Sequence, residues 1–376
     1  MRLKPRVLIL SDWFVPGYKA GGPIQSVNSL VNALESEIDF TVITGDRDLG
    51  DHRQYQVGRF NELVEFSKHK RVYTTAFGRS TMIRKNVQFE SFDWIYLNSL
   101  FSIEFTLKPL WWALLSGKLS KVILAPRGML GAGALTLKPR KKKLFLWMFK
   151  AFNIHHKICF HATDSSEAKD IEKVFGDSIN VHEISNLPRT IQNTHVAKKY
   201  STLSMTFISR VSPKKNLAFA IELLSESNLP CVLDVFGEIE DADYHRDCKS
   251  RIGGNLEVNW HGAVTPDELD VKLEKTNFFI LPTLNENFGH AIVEALHHGK
   301  PCLISDQTPW VDLEEFGAGW AIPLADMGKW QRALQEANSM TDEVYEKRSL
   351  AAKDYIRKKL NIDDLHAKYL NLFQGA

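Results

Sequence analysis

The run Asn285-Glu286-Asn287-Phe288-Gly289-His290-Ala291-Ile292-Val293-Glu294-Ala295-Leu296 places two glutamates eight positions apart. Ile280-Leu281-Pro282 before it reads as the end of a buried strand, and Ala291 to His297 reads as a helix that stops at Gly299 and Pro301. The loop and helix start between the glutamates present free backbone N–H groups and a positive dipole end. Such a terminus suits an anion or a ring of hydroxyls. Glu286 would face a ligand from the loop. Glu294, about two turns into the helix, could reach a second part of it, such as a ribose diol. The plain alternative is that both are ordinary capping and surface charges.

A second chemical segment is Phe207-Ile208-Ser209-Arg210-Val211-Ser212-Pro213-Lys214-Lys215-Asn216-Leu217. A strand ends, and Arg210 and Lys215 fall in the loop before a helix. A diphosphate leaving group concentrates negative charge. Arg supplies a planar fork and Lys a point charge, and both stabilise that charge as it develops. A third segment, Gly17-Tyr18-Lys19-Ala20-Gly21-Gly22-Pro23, follows the first strand and opens a helix. Its adjacent glycines permit close backbone approach and positive φ. They do not match G-x-G-x-x-G, which counts against an NAD oxidoreductase.

Leu281-Pro282-Thr283 through Gly299-Lys300-Pro301 resembles the E-x7-E segment of retaining, nucleotide-sugar-dependent glycosyltransferases of family 4. Ser305-Asp306-Gln307-Thr308-Pro309-Trp310 with Gly317-Ala318-Gly319-Trp320 resembles the bacterial surface-polysaccharide branch of that family. Arg210 and Lys215 resemble its G-R-x-x-x-x-K-G motif, with Ser209 and Asn216 in place of the two glycines. The resemblance implies that Gly21 and Gly22 lie against the donor phosphate and the acceptor. It also implies that the loop Trp260 to Pro266, with Val264, and the wall at Gly237 contact the nucleobase mainly through backbone. Uracil and guanine stay open, so a UDP- or GDP-sugar is the expected donor. Where the family places a histidine near the donor sugar, this chain offers Arg127. Arg cannot act as a base at neutral pH, so its role would be electrostatic or positional. His161 reads as a structural core residue, with Asp164 or Ser165 capping the next helix.

Two carboxylates flanking a sugar would suggest double displacement. With Glu294 assigned to the ribose, that picture does not fit. The resemblance implies front-face substitution with retention, the leaving phosphate helping to deprotonate the acceptor hydroxyl. Glu286 and the backbone N–H groups of Asn287, Phe288, Gly289 and His290 would hold the sugar. No cofactor and no metal is implied, since Asp46-Arg47-Asp48 reads as a chance D-x-D. The expected acceptor is a saccharide or lipid-linked saccharide of lipopolysaccharide, O-antigen or exopolysaccharide. The rival readings are a sugar-nucleotide epimerase of similar architecture and a catalytically silent subunit of a polysaccharide assembly complex.

The elements that must position these residues follow from periodicity. Apolar strands alternate with helices throughout. In the first half the strands are 7–10, 40–43, 94–97, 122–125 and 158–161, and the helices 24–34, 107–115, 141–151 and 165–174. In the second half the strands are 205–208, 231–236, 256–260, 278–281 and 301–305, and the helices 216–225, 244–251, 266–274 and 290–297. Alternation implies α/β architecture with two parallel, doubly wound, Rossmann-like domains. The resemblance names this GT-B: two domains facing across a cleft, with a C-terminal helix crossing back to the first. The expected division is 1–190, 200–355 and 356–376, with a polar join from Asn186 to Tyr200. At 376 residues, two domains suit the length.

The net charge of +2 hides an asymmetry: residues 1–190 carry 27 Lys/Arg against 18 Asp/Glu, and the remainder 20 against 27. Much of the excess is Lys138-Pro139-Arg140-Lys141-Lys142-Lys143, followed directly by Leu144-Phe145-Leu146-Trp147-Met148-Phe149. Such a segment fits an anionic membrane surface, or equally a helix with a basic solvent face and an apolar core face. No reader motif for nucleic acid accompanies the charge. The four scattered cysteines read as buried thiols rather than disulfides. The N-terminus lacks signal-peptide character and no apolar run is long enough for a bilayer. The expected location is the cytoplasm, peripheral at the inner face of the plasma membrane.

Overall fold

The computed structural model describes residues 4–66, 69–88, 92–131, 135, 139–189 and 202–375. The chain divides into two units, Met1–Leu187 with Ile362–Ala376, and Pro188–Asn361.

The first unit is built on an eight-stranded sheet of order β3-β4-β2-β1-β5-β6-β7-β8. These strands are β1 (Arg6–Ser11), β2 (Asp39–Gly45), β3 (Val64–Phe66), β4 (His69–Thr74), β5 (Trp94–Leu97), β6 (Val122–Leu124), β7 (Cys159–Ala162) and β8 (Asn180–Glu183). All pair in parallel except β3 with β4. The run Val7-Leu8-Ile9-Leu10 is fully buried because helices cover both faces of a parallel sheet. A continuous apolar cluster of this unit joins Leu8, Leu97 and Leu124 on the strands to Leu110, Phe145 and Phe149 on the helices. The final helix, Ile362–Gln374, belongs here: the indole N–H of Trp94 donates to the Phe373 carbonyl at 2.7 Å.

The second unit carries a six-stranded, all-parallel sheet of order β11-β10-β9-β12-β13-β14. The strands are β9 (Leu203–Ile208), β10 (Cys231–Phe236), β11 (Leu256–Gly262), β12 (Phe278–Leu281), β13 (Cys302–Ser305) and β14 (Gly319–Ile322). Strand order reverses between β9 and β12. In open parallel sheets that reversal opens a crevice beyond the carboxyl ends of the strands, where ligands bind. The first sheet has the same kind of reversal between β1 and β5.

Several sequence expectations change. β11 runs on to Gly262, past the expected end at 260, so His261 and Gly262 are strand residues rather than loop. The helix expected from Leu107 begins with a π turn, Ile103–Leu107. Strands β3, β4, β8 and β14 and the helices Arg79–Gln88 and Met327–Ser339 come in addition. The returning segment starts at Ile362 rather than 356, because Asn361 (φ 28°) ends the helix Asp342–Leu360 and turns the chain. Most of the expected join, residues 190–200, lies outside the described residues, as does Lys138. All four cysteines are buried free thiols. Among the described residues no helix is long and apolar enough to cross a membrane.

Candidate functional site

The loops after β9 and β12 flank the reversal point of the second sheet, and they bring Lys215 and Glu286 together. Lys215 closes a one-turn 3-10 helix, Pro213–Lys215, and Asn216 follows at φ 58°. A left-handed residue here explains why Asn can stand where Gly is expected. The Lys215 ammonium donates to Glu286 Oε2, and both side chains are largely shielded from solvent. Three backbone ties hold this pair in place. The Lys214 carbonyl accepts from the Leu284 N–H at 2.9 Å and from the Thr283 hydroxyl at 3.2 Å, and the Glu286 N–H donates to the Gln307 carbonyl at 2.9 Å.

Helix His290–His297 starts from Gly289, which sits in the left-handed region at φ 74°. No side chain caps it. Its first N–H groups therefore present a partial positive charge beside Glu286. A methyl on Gly289 would come within 2.9 Å of Ile292 Cδ1 and 3.1 Å of Glu286 Cγ. Phe288 is buried and packs its ring edge-on against both His290 and Trp310. Its carbonyl accepts the Trp310 indole N–H at 2.6 Å. The segment after β13 thus fixes the loop that carries Glu286, Asn287 and Phe288.

Glu294 lies deeper and apart from Glu286. It is 8% exposed and faces Arg189, whose Nε is 3.5 Å from Glu294 Oε1, an ionic contact without hydrogen-bond alignment. The Arg189 guanidinium forms a two-pronged pair with Asp270, and His298 Nε2 meets the same carboxylate at 2.8 Å. Burial pushes the Glu294 carboxyl up to about 7; Arg189 opposes the rise and Asp270 adds to it. Asp270 is held down at about 2: its burial alone would raise it, and the hydrogen bonds from His298 and Arg189 outweigh that. Sequence reasoning missed Arg189, Asp270 and His298. No periodicity marks them, since Arg189 falls within the expected polar join and Asp270 sits 81 residues away.

Arg210 is not in the Lys215–Glu286 pair. Its guanidinium reaches Glu240 at 2.8 Å, with both side chains partly exposed. Gly237 (φ 143°) has a packing reason of its own. A methyl there would lie 1.9 Å from the Ser209 carbonyl oxygen, so only glycine lets β10 end against the turn that carries Arg210. Val264 packs on the small cluster of Phe236, Leu269 and Leu273.

In the first unit the residues at the reversal point form a separate network. Gly21 (φ 65°) precedes helix Gly22–Leu34, with no side-chain cap and proline in its first turn. Asn98, just after β5, donates to the Pro23 carbonyl at 3.1 Å and to Ser11 Oγ at 3.3 Å. Its own carbonyl accepts from Arg127 Nε at 2.8 Å. Arg127 also donates to Asn186 at 2.6 Å and to the Tyr96 hydroxyl at 2.9 Å. Its backbone is left-handed (φ 56°), and Glu167 secures that turn by accepting the Gly128 N–H at 2.6 Å.

His161 is a core residue, fully buried within β7. Its ring nitrogens meet the Tyr96 hydroxyl at 2.6 Å and the Ile184 carbonyl at 2.8 Å. Burial drives its pKa down to about 3, helped by the Arg127 charge. The imidazole is therefore neutral, donating to Ile184 and accepting from Tyr96. Asp164 caps the next helix through the Ser166 and Glu167 N–H groups. The D-x-D look-alike has structural work. Asp48 accepts the Tyr18 N–H at 2.6 Å and the Lys19 N–H at 3.0 Å, pinning the glycine-bearing loop, and Asp46 pairs with Arg47.

This geometry can be compared with known proteins. Residues 192–354 match the family model described as glycosyl transferases group 1. The matched stretch holds Arg210, Lys215, Glu286 and Glu294. Sucrose-phosphate synthase from Thermosynechococcus elongatus superposes with a TM-score of 0.71 at 14% identity, covering 99% of each chain. HepE from Anabaena, in complex with UDP and glucose, gives 0.69 at 14% identity over 99% of this chain and 100% of that one. WaaG, a glycosyltransferase involved in lipopolysaccharide biosynthesis, gives 0.66 at 12% identity over 99% and 100%. No curated protein sequence matches significantly.

The fold is GT-B. The matched segment lies in the second unit, where the paired Lys215 and Glu286 occupy the reversal point of the sheet. Arg127 is held at the reversal point of the first sheet. Three neutral acceptors hold its guanidinium, so its charge is neutralised by none of them.

Proposed function

We propose that the chain is a retaining, metal-independent glycosyltransferase. It moves a sugar from a UDP- or GDP-sugar to a saccharide or lipid-linked saccharide of surface-polysaccharide synthesis, working at the inner face of the plasma membrane. The observation that carries the reading is the Lys215–Glu286 pair at the β9/β12 reversal point, inside the group 1 segment and beside an uncapped helix start.

In this reading a diphosphate docks on that helix start and on Lys215. Lys215 trades part of its bond to Glu286 for the leaving phosphate, and its charge stabilises the phosphate as the glycosidic bond breaks. Arg210 swings from the exposed Glu240 to the same phosphate at little cost, since an exposed pair contributes at most about 1 kcal/mol. Glu286 and the N–H groups of Asn287 to His290 hold the sugar hydroxyls. Glu294, in its ionised form, accepts from the ribose diol, and Arg189 favours that form against burial. The nucleobase lies along Gly237 and Val264. Gly21, Gly22 and Arg127 are assigned to the acceptor and phosphate. The departing phosphate oxygen takes the acceptor proton on the face it leaves, which preserves anomeric configuration without an enzyme-bound sugar.

The test is incubation with a panel of nucleotide sugars, with and without a lipid-linked saccharide. Acceptor-dependent release of nucleoside diphosphate and a product of unchanged anomeric configuration are expected. Interconversion of the donor without acceptor would make the chain an epimerase. Donor binding with no turnover on any acceptor would make it a silent subunit.

A further inference from the structure

One guanidinium serves two carboxylates in the second unit, and it serves them unequally. Arg189 donates from Nη1 to Asp270 Oδ2 at 2.9 Å and from Nη2 to Asp270 Oδ1, the forked geometry that makes Arg–carboxylate pairs strong. Toward Glu294 it turns only Nε, 3.5 Å from Oε1 and out of line, and that buried N–H has no hydrogen-bond partner. The Asp270 side chain is 28% exposed and the Glu294 side chain 10%. The aligned cation therefore goes to the carboxylate that burial penalises less.

Asp270 holds the fork because it is itself fixed from a second side. His298 Nε2 meets Asp270 Oδ1 at 2.8 Å, and an ionised carboxylate can only accept, so the imidazole donates there. Burial alone would raise Asp270, but the bonds from His298 and Arg189 hold it at about 2, so it is anionic across the neutral range. Glu294 beside it is pushed up to about 7 by burial; Arg189 pulls it down and Asp270 pushes it further up. Two other titratable groups are packed here. Asp267, on the same helix Pro266–Glu274 as Asp270, adds its charge to the field at Arg189. His297, on the helix of Glu294, is driven down to about 4 by burial, helped by the charges of His298, Arg357 and Arg189, so it is neutral near pH 7.

We propose that Asp270 is a positioning residue for the nucleotide-sugar donor: it holds the Arg189 guanidinium off Glu294, leaving the ribose carboxylate under-paired and its charge dependent on pH. The proposal rests on the assignment of Glu294 to the ribose in the reading above and adds the device that sets its charge. An ionised carboxylate accepts from both hydroxyls of a diol, whereas the protonated form carries a donor on one of its oxygens. A fork turned fully onto Glu294 would favour the ionised form at lower pH. Asp270, a permanent like charge competing for the same fork, prevents that. Acidification then adds a proton to Glu294, removes a ribose acceptor and lowers donor affinity.

The experiment uses the full chain, with UDP-glucose and GDP-glucose as probes in calorimetric titrations at pH 6, 7 and 8. Carbon NMR of isotope-labelled glutamate follows the Glu294 carboxyl, and Glu294→Gln assigns its signal. Asp270→Asn should lower the Glu294 midpoint by about one unit, since a like charge is lost and the fork is freed. Donor affinity should then tighten about fivefold at pH 6 and stay level at pH 8, following the ionised fraction. Arg189→Gln should do the reverse, raising the midpoint and weakening binding at pH 7. A merely structural role would shift affinity the same way at every pH and in both variants. Asp270→Ser, likewise uncharged, gives the same reading if Asp270→Asn does not fold, and thermal midpoints check both. Asp270→Asn combined with Glu294→Gln should bind as Glu294→Gln alone does, which places the effect on Glu294 rather than on His298. A Glu294 midpoint that stays or rises in Asp270→Asn, while Glu294→Gln still weakens binding, overturns the proposal and leaves the ribose assignment standing. Wild-type donor affinity in Glu294→Gln overturns that assignment and the proposal with it.

Discussion

Burial of Glu294 contributes to the stability of the second unit in the opposite pH direction from the ribose contact proposed for it, and Glu294→Gln separates the two. The carboxyl moves from an ordinary 4.5 to about 7 on folding, with burial as the leading cause. That rise corresponds to about 3 kcal/mol. The sign follows from proton binding: the folded chain holds this proton more tightly than the unfolded chain. Glu294 therefore contributes stability that is complete below pH 4.5 and is lost as pH rises through 7. Glutamine keeps the shape and cannot ionise. Urea unfolding at pH 5, 6, 7 and 8 should show wild type losing about 3 kcal/mol relative to Glu294→Gln across that range. Donor affinity should move the opposite way. If the ribose diol needs the carboxylate, wild-type affinity for a nucleotide sugar should rise about tenfold from pH 6 to 8, following the ionised fraction. The diester pyrophosphate of such a donor does not titrate there. The variant should bind more weakly and with little pH slope. Calorimetric titration at each pH reads both. Parallel pH curves for wild type and variant, in unfolding and in binding, would refute the assignment, since His298 and the remaining groups are common to both.

Other substitutions probe other parts of the site. Lys215→Ala should lower kcat at least tenfold, because one lost contact to a developing charge costs about 2–4 kcal/mol; wild-type turnover would remove Lys215 from the mechanism. Lys300 is buried and donates to the Thr276 carbonyl at 2.8 Å, just past helix Pro266–Glu274, and burial lowers its pKa to about 8. A base depressed on folding binds its proton less tightly than the unfolded chain does, so wild-type stability should rise with pH between 8 and 10.5. Lys300→Met should lack that rise in the same urea assay. Gly237→Ala should destabilise the second unit by about 2 kcal/mol or more, since its methyl meets the Ser209 carbonyl and its φ suits only glycine. An unchanged thermal midpoint would show that the turn gives way freely.

Much of the architecture was legible because it is written locally. Val7-Leu8-Ile9-Leu10 and Phe278-Phe279-Ile280-Leu281 are short apolar runs bounded by polar loops, and a parallel sheet needs nothing else to declare its inner strands. The edges were not legible. β3 and β8 lie at the ends of their sheet with partly or fully exposed residues, so neither apolar runs nor clean alternation marks them. Helix Arg79–Gln88 is polar on most of its surface and buries only Ile83, Asn86 and Val87, too few for a periodic signal.

The sequence by itself determined which residue types stand at which strand ends: Arg210 and Lys215 after one strand, Glu286 after another, and the glycine turn at Gly289. Loop chemistry and helix starts are properties of a few neighbouring residues, so a linear text carries them. Only tertiary structure decided the partners. Lys215 meets Glu286 across 71 positions because β9 and β12 are neighbours at the reversal of strand order. Arg210 turns instead to Glu240, and Glu294 sinks against Arg189 and Asp270. The physical reason is that charge pairing and desolvation depend on distance in space, and a parallel crossover sets that distance without leaving a mark in the intervening residues.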